Sequence, residues 1–211
     1  MKQGRTAVLH RADRMAPMRV VTLVSGSGTN FQAVLDAATA GLLPDVEIVA
    51  VGADKPDTGG VARGVAFGAE GFVVSPADYA SRAEWDEALA AKVASYQPDL
   101  VGAAGFMKIL GAAFLDCFGG RTLNTHPALL PAFPGAHGVR DAMAYGVKVT
   151  GCTIHWVDAG VDTGPIIDQT PVRIEAGETE EHLHERIKVE ERRLLVDTIA
   201  ALASGSMAFP A

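Results

Sequence analysis

Cysteine is scarce in this chain: Cys117 and Cys152 are the only two in 211 residues. That number excludes a disulfide-stapled scaffold, and the pair lacks metal-like spacing. Free buried thiols in a reducing cytosol are the expectation. Surplus basic charge is also absent. Eighteen Lys and Arg against 25 Asp and Glu give a net charge of −7, which argues against non-specific nucleic-acid binding. A phosphate ligand would therefore need a local backbone site rather than a broad basic surface. No apolar run approaches the roughly 20 residues of a membrane span. The first residues, MKQGRTAVLHRADRMAPMRV, carry positive charge without an apolar h-region, so they are not a secretory signal. Residues 1–17 read as a flexible polar leader, with Met18 as an alternative start. Internal repeats, low-complexity tracts and domain-splitting linkers are missing too.

What is present is an ordinary globular composition, 48% hydrophobic and 20% charged, at a length that suits one sizeable domain. Strand-like and helix-like segments alternate. RVVTLVS (19–25) is a β-branched apolar run of the buried-parallel-strand type. It ends in Gly26-Ser27-Gly28-Thr29-Asn30, and FQAVLDAATAG follows with helical spacing. Further strands are expected at 46–53, 71–75, 99–104 and 121–126, and helices at 61–68, 81–96 and 136–145. Ser81 and Glu84 form a capping box. Arg82 in that first turn opposes the helix dipole and reads as solvated surface. A strand pair at 148–157 and 166–174 surrounds the loop DAGVDTGP, and a closing helix covers 178–203. The tail 204–211 is expected to fray. Together these predict a single α/β domain (18–203): a Rossmann-like, mostly parallel twisted sheet with helices on both faces. Its ligands would sit beyond the carboxyl ends of the strands.

Two stretches carry chemistry. Strand, Gly-rich turn and helix at 19–41 make a phosphate cradle, in which free N–H groups at the helix start face an anion. It is not the dinucleotide fingerprint, because Phe31 stands where the third glycine belongs, and no Lys-Ser/Thr makes it a Walker loop. The second is TLNTHPALLPAFPGAH (122–137), a strand that runs into three prolines. Asn124 and His126 are two apart, so in extended chain they leave the same face. An amide donor beside a titratable imidazole suits a reaction that builds negative charge on a carbonyl oxygen and must protonate a leaving nitrogen. A turn-capping Asn beside a satisfied loop histidine is the structural alternative. His126, His137, His155, His182 and His184 show no convincing mutual ligand spacing, so no metal is expected. His155 reads as a core or supporting histidine, His137 is ambiguous, and Lys188 shares a helix face with Glu191.

SGSGTN, AGFMKIL, NTHPALLPAFPGAH and HWVDAGVDTGPII, in that order, closely resemble the motifs of the folate-dependent glycinamide ribonucleotide formyltransferases of purine synthesis. The resemblance runs from Met18 to about Leu202. Methionyl-tRNA formyltransferases and formyltetrahydrofolate deformylases share the Asn-x-His…Asp core, but carry extra domains that this chain has no length for. The resemblance implies Asn124, His126 and Asp162 as the catalytic trio, and Gly28, Thr29 and Asn30 as holders of the substrate phosphate. It implies Glu191 as a ligand of glycinamide ribonucleotide. Arg82, Met107, Lys108, Ile109, Leu110 and Asn124 are implied as contacts of the donor 10-formyltetrahydrofolate, whose pterin would be wrapped by the loop with Asp158, Ala159, Gly160 and Val161. A cytoplasmic enzyme with small-molecule substrates follows, with no nucleic acid, no membrane, and a homodimer left open. A hydrolase that releases formate, or a non-catalytic folate- or nucleotide-binding protein, is the alternative.

Overall fold

The structure, a computed structural model, describes residues 16–103 and 105–210. All but two residues of the expected leader lie outside this range. The chain runs β1 (Met18–Val24), α1 (Thr29–Thr39), β2 (Val46–Ala53), α2 (Gly59–Phe67) and β3 (Glu70–Val73), then α3 (Arg82–Ala94), β4 (Leu100–Gly102) and α4 (Ala112–Phe118). It ends with β5 (Thr122–His126), α5 (Gly138–Tyr145), β6 (Val149–Trp156), β7 (Ile166–Arg173) and α6 (Glu180–Ser204). One seven-stranded sheet has the order β3-β2-β1-β4-β5-β6-β7. The first five of these strands are mutually parallel, while β6 is antiparallel to β5 and β7 to β6. The expected α/β class is what the chain adopts. The strand order reverses at β1/β4, the switch point at which such sheets open a crevice.

The two faces of the sheet are covered separately. On one, Phe31, Val34 and Leu35 of α1 and Leu183, Ile187, Leu195 and Ile199 of α6 are buried against β1 and β6. On the other, Trp85 and Leu89 of α3 and Phe114 and Phe118 of α4 close over Val21, Leu23 and Val101. Each such side chain contributes about 1.5–3 kcal/mol of apolar burial. Trp85 is fully buried and its indole N–H donates to Val74 O at 2.8 Å, so the large ring leaves no orphaned donor.

Four local readings change. Helix α4 is absent from the expectations because it is a seven-residue segment whose cap is Gly111, without a capping side chain. Its cap comes from another helix: the buried Asp86 carboxylate accepts from Gly111 N–H at 2.6 Å and Phe114 N–H at 3.0 Å. Ser81 Oγ accepts from Glu84 N–H at 3.1 Å, but Glu84 reaches back to Ala80 N–H rather than to Ser81, an offset form of the capping box. Cys117 is exposed, not buried, whereas Cys152 is a core thiol that burial pushes up to about 12. The tail expected to fray lies against the body, with the Phe209 ring 5.7 Å from that of Trp156 and Met207 N–H donating to Ala201 O.

Because Asp86 satisfies two N–H groups that the sequence of α4 cannot, Asp86→Ala should destabilise the fold by about 2–4 kcal/mol. Urea unfolding would measure it. A variant within about 0.5 kcal/mol of the wild type would show that water caps α4 equally well.

Candidate active site

The cradle forms where β1 ends. Gly28 caps α1 in the left-handed region (φ 70°), and no side chain caps that helix or places an acid in its first turn. Its leading N–H groups are therefore free to meet an anion. The loop is pressed into shape from behind. A Cβ on Gly28 would lie 2.6 Å from Gly60 Cα, Gly60 N–H donates to Gly26 O, and Arg63 donates to Ser27 O. Helix α2 begins at Gly59, two residues before the expected start, and its Gly60 is where the cradle presses: a Cβ there would lie 2.8 Å from a Val24 methyl.

Strand β5 presents Asn124 and His126 on one face, as their spacing requires. Asn124 is half-buried, and its carboxamide makes no hydrogen bond with any described residue. His126 is 3% exposed. Its Nε2 faces Phe133 O at 2.7 Å, so this nitrogen carries a proton, and its Nδ1 lies 3.3 Å from Asp162 Oδ2. The proline loop that supplies Phe133 is fixed by Thr153, whose hydroxyl donates to Ala128 O and accepts from Leu130 N–H.

Asp162 arrives by a route the sequence did not suggest. Strand β6 runs opposite to β5, so its exit is beside the amino end of β5, where Val157 N–H donates to Thr122 O. The following loop turns back to bring Asp162 over the face of β5. Asp162 adopts φ 55°, a left-handed conformation uncommon for a non-glycine residue. Its Oδ2 accepts from Gly135 N–H at 2.8 Å. On the other side, Oδ1 lies 3.5 Å from His155 Nε2, the outer limit of a hydrogen bond. His155 stands opposite Asn124 in the β5–β6 register, and its Nδ1 donates to Trp156 O at 3.0 Å.

Burial and charge compete here. Burial lowers the pKa of His126, against the raising effects of Asp162 and the Phe133 carbonyl, and burial wins. The expected pull toward imidazolium exists but is outweighed. For Asp162, burial alone would raise the carboxyl; His155, Gly135 N–H and His126 together hold it below the ordinary carboxylate range. Glu191 is nine-tenths buried on α6, and burial raises its carboxyl to about 7 despite contacts from Thr125 and Asn30.

A cavity of about 550 Å³ joins these groups. Gly28, Thr29, Asn30, Asn124, His126, Asp162 and Glu191 are among its lining residues, as are Met107, Lys108, Ile109, Leu110, Asp158, Gly160 and Val161. Arg82 and Ala159 are not among the lining residues. Arg82 is exposed, as the surface reading expected, and it lies over the Trp85 ring and donates to Ile109 O at 2.6 Å. His137 caps α5 and is not a lining residue. Lys188 and His184 do line the cavity. His184 went unassigned in the sequence, although residues 184, 188 and 191 share a helix face and could have disclosed it. Among the described residues, no group of three or more His, Cys, Asp or Glu is placed to hold a metal ion, and no helix is long and apolar enough to cross a membrane.

Glu191 gives a test by pH. A carboxyl raised to about 7 adds stability below its unfolded value, near 4.5, and that stability is lost as pH rises through 7. The loss is roughly 3 kcal/mol. Glu191→Gln should remove it, so urea unfolding of variant and wild type should diverge in the variant's favour between pH 5 and pH 8. Parallel curves would mean that Glu191 is ionised in the folded protein at little cost.

A family profile described as formyl transferase matches residues 18–199. Phosphoribosylglycinamide formyltransferase of Mycobacterium tuberculosis is 56% identical over 198 residues, covering 92% of this chain and 89% of that protein. The Escherichia coli protein of the same name is 35% identical over 190 residues, covering 90% and 89%. Glycinamide ribonucleotide transformylase 1 from Symbiobacterium toebii superposes with a TM-score of 0.89 at 42% identity, over 93% of this chain and 92% of that structure. With the fold, the order of motifs and the relatives in agreement, the chain belongs to the formyl transferase family, alongside its phosphoribosylglycinamide formyltransferases.

Proposed function

We propose that the chain transfers the formyl group of 10-formyltetrahydrofolate to the primary amine of glycinamide ribonucleotide, a step of purine synthesis. The observation that supports this reading is one cavity whose lining includes Gly28, Thr29 and Asn30 of the Gly-rich turn, Asn124, His126 and Asp162, and the apolar residues Met107, Ile109 and Leu110. The ribonucleotide phosphate meets the N–H groups of Gly28, Thr29 and Asn30, with Lys188 adding charge and Glu191 facing the sugar and amine. Folate lies against Met107, Ile109 and Leu110 and under residues 158–162. The reading needs a cytoplasmic supply of both substrates and no metal. Every residue it invokes comes from one chain.

Amine attack on the formyl carbon makes the formyl oxygen negative and leaves the attacking nitrogen with a proton to lose. Asn124 is the uncommitted donor for that oxygen. His126 holds its Nε2 proton on Phe133 O, so its free lone pair is on Nδ1, facing Asp162. A proton taken up there is shared with the carboxylate, which stabilises the imidazolium that burial otherwise disfavours. The same unit then returns a proton to the departing folate nitrogen. Depression of the His126 pKa suits this order of events, because the ring must begin as a base.

The decisive assay offers purified protein the formyl donor with and without glycinamide ribonucleotide. Folate product should depend on the amine; equal rates without it would assign hydrolysis instead. Asn124→Ala should lower kcat by about 10²–10³, and His126→Ala should cost more because it removes the relay. Asp162→Asn withdraws the group that raises the His126 pKa, so the acid limb of the pH–rate profile should move to lower pH while ribonucleotide affinity stays close to wild type. An unmoved profile with full rate would reduce Asp162 to a loop-shaping residue.

A further inference from the structure

Asp54 follows the last residue of β2 and is not part of the cavity wall, yet it is a buried carboxylate, 6% exposed. Its Oδ1 is shielded from solvent and has no hydrogen-bond partner, and its Oδ2 lies 3.4 Å from Lys108 Nζ. Among the described residues, Lys108 is the one cation within ion-pair distance of it. A carboxylate withdrawn from water with so little compensation is costly, and losing its remaining partner would cost more. Lys108 is therefore not free to swing out toward a ligand.

Lys108 sits in the middle of the donor loop, and the other tethers of this loop all act on its backbone. Met107 N–H donates to Ser25 Oγ at 2.8 Å, Ile109 O accepts from Arg82, and Gly111 N–H donates to Asp86. Held this way, the loop displays Met107 and Ile109 with 72% and 60% of their surface exposed. Such exposure is tolerable where a flat apolar ligand covers it. Leu110 is anchored by burial in the core, and among the described residues the Asp54–Lys108 pair is the one charged tether from a side chain of residues 107–110, spanning from the end of β2 across β1 to the loop after β4.

The geometry points to Asp54 as a positioning residue for the formyl-folate donor, acting through Lys108 on the shape of the loop rather than by charge on the donor's glutamyl carboxylates. This rests on the proposed placement of folate against residues 107–110. Lys108 then matters as the partner of Asp54, and its ammonium is already spent.

The test is a double-mutant cycle of Asp54→Asn, Lys108→Met and the pair, each assayed with donors carrying one and several γ-linked glutamates. Each single variant should raise the donor KM about fivefold to tenfold, with kcat and the ribonucleotide KM within about twofold. The pair should be no worse than either single change, and should regain thermal stability that Lys108→Met loses by stranding the carboxylate. The KM ratio between short-tailed and long-tailed donors should be the same in all four proteins. Additive losses, a wild-type donor KM in Asp54→Asn, or a ratio that collapses only when Lys108 is removed would each overturn the assignment. Wild-type protein that fails to transfer formyl would instead refute the proposed function, so the two failures are distinguishable.

Discussion

One carboxylate holds the centre of this protein together. Asp162 is approached by two imidazoles and one backbone N–H, from β5, β6 and the proline loop. Each imidazole has its other ring nitrogen turned to a backbone carbonyl, His126 to Phe133 and His155 to Trp156. Those carbonyls can only accept, so each ring keeps a proton there and points a lone pair, or a second proton, at Asp162. Burial lowers the pKa of His126, so its Nδ1 lone pair stays open to a proton, and the adjacent carboxylate stands ready to share it.

The cost of that arrangement is visible in the backbone. Asp162 holds a left-handed conformation, as does Phe133, whose carbonyl fixes the histidine. Such residues persist where neighbouring contacts over-determine them. Here the over-determination comes from Thr153, which grips the proline loop, and from the β5–β6 register, which sets His155 opposite Asn124. The reversal of strand direction at β6 does what a sixth parallel strand could not. It sends a loop back across the face of β5 instead of away from it.

Much of this was legible in the residues. β-branched runs marked the parallel strands, and the two-residue spacing of Asn124 and His126 put them on one face. Prolines forbade any regular element after them. Features that depend on distant partners were not legible. Helix α4 has no signal of its own because its cap is Asp86, on another helix. Arg82 is exposed, as a surface reading requires, but nothing local announces its hydrogen bond to Ile109 O, 27 residues away. The sign of the His126 shift could not be read either: a nearby carboxylate can be inferred from a motif, but the depth of burial that outweighs it is a property of the packed fold. Cys117 was misplaced for a similar reason, since a short unrecognised helix gave no face to assign it to.

The contact between Gly28 and Gly60 reaches beyond the cradle itself. Residue 60 touches no ligand in the proposed reading, yet a Cβ there would meet Val24 at 2.8 Å, and the cradle leans on its Cα. Helix α2 is in effect the mould against which the anion site is cast. A survey of natural or engineered variants that scored only cavity-lining positions would count position 60 as neutral ground. On the proposed reading, it would then leave unexplained a loss of ribonucleotide affinity when Gly60 is replaced.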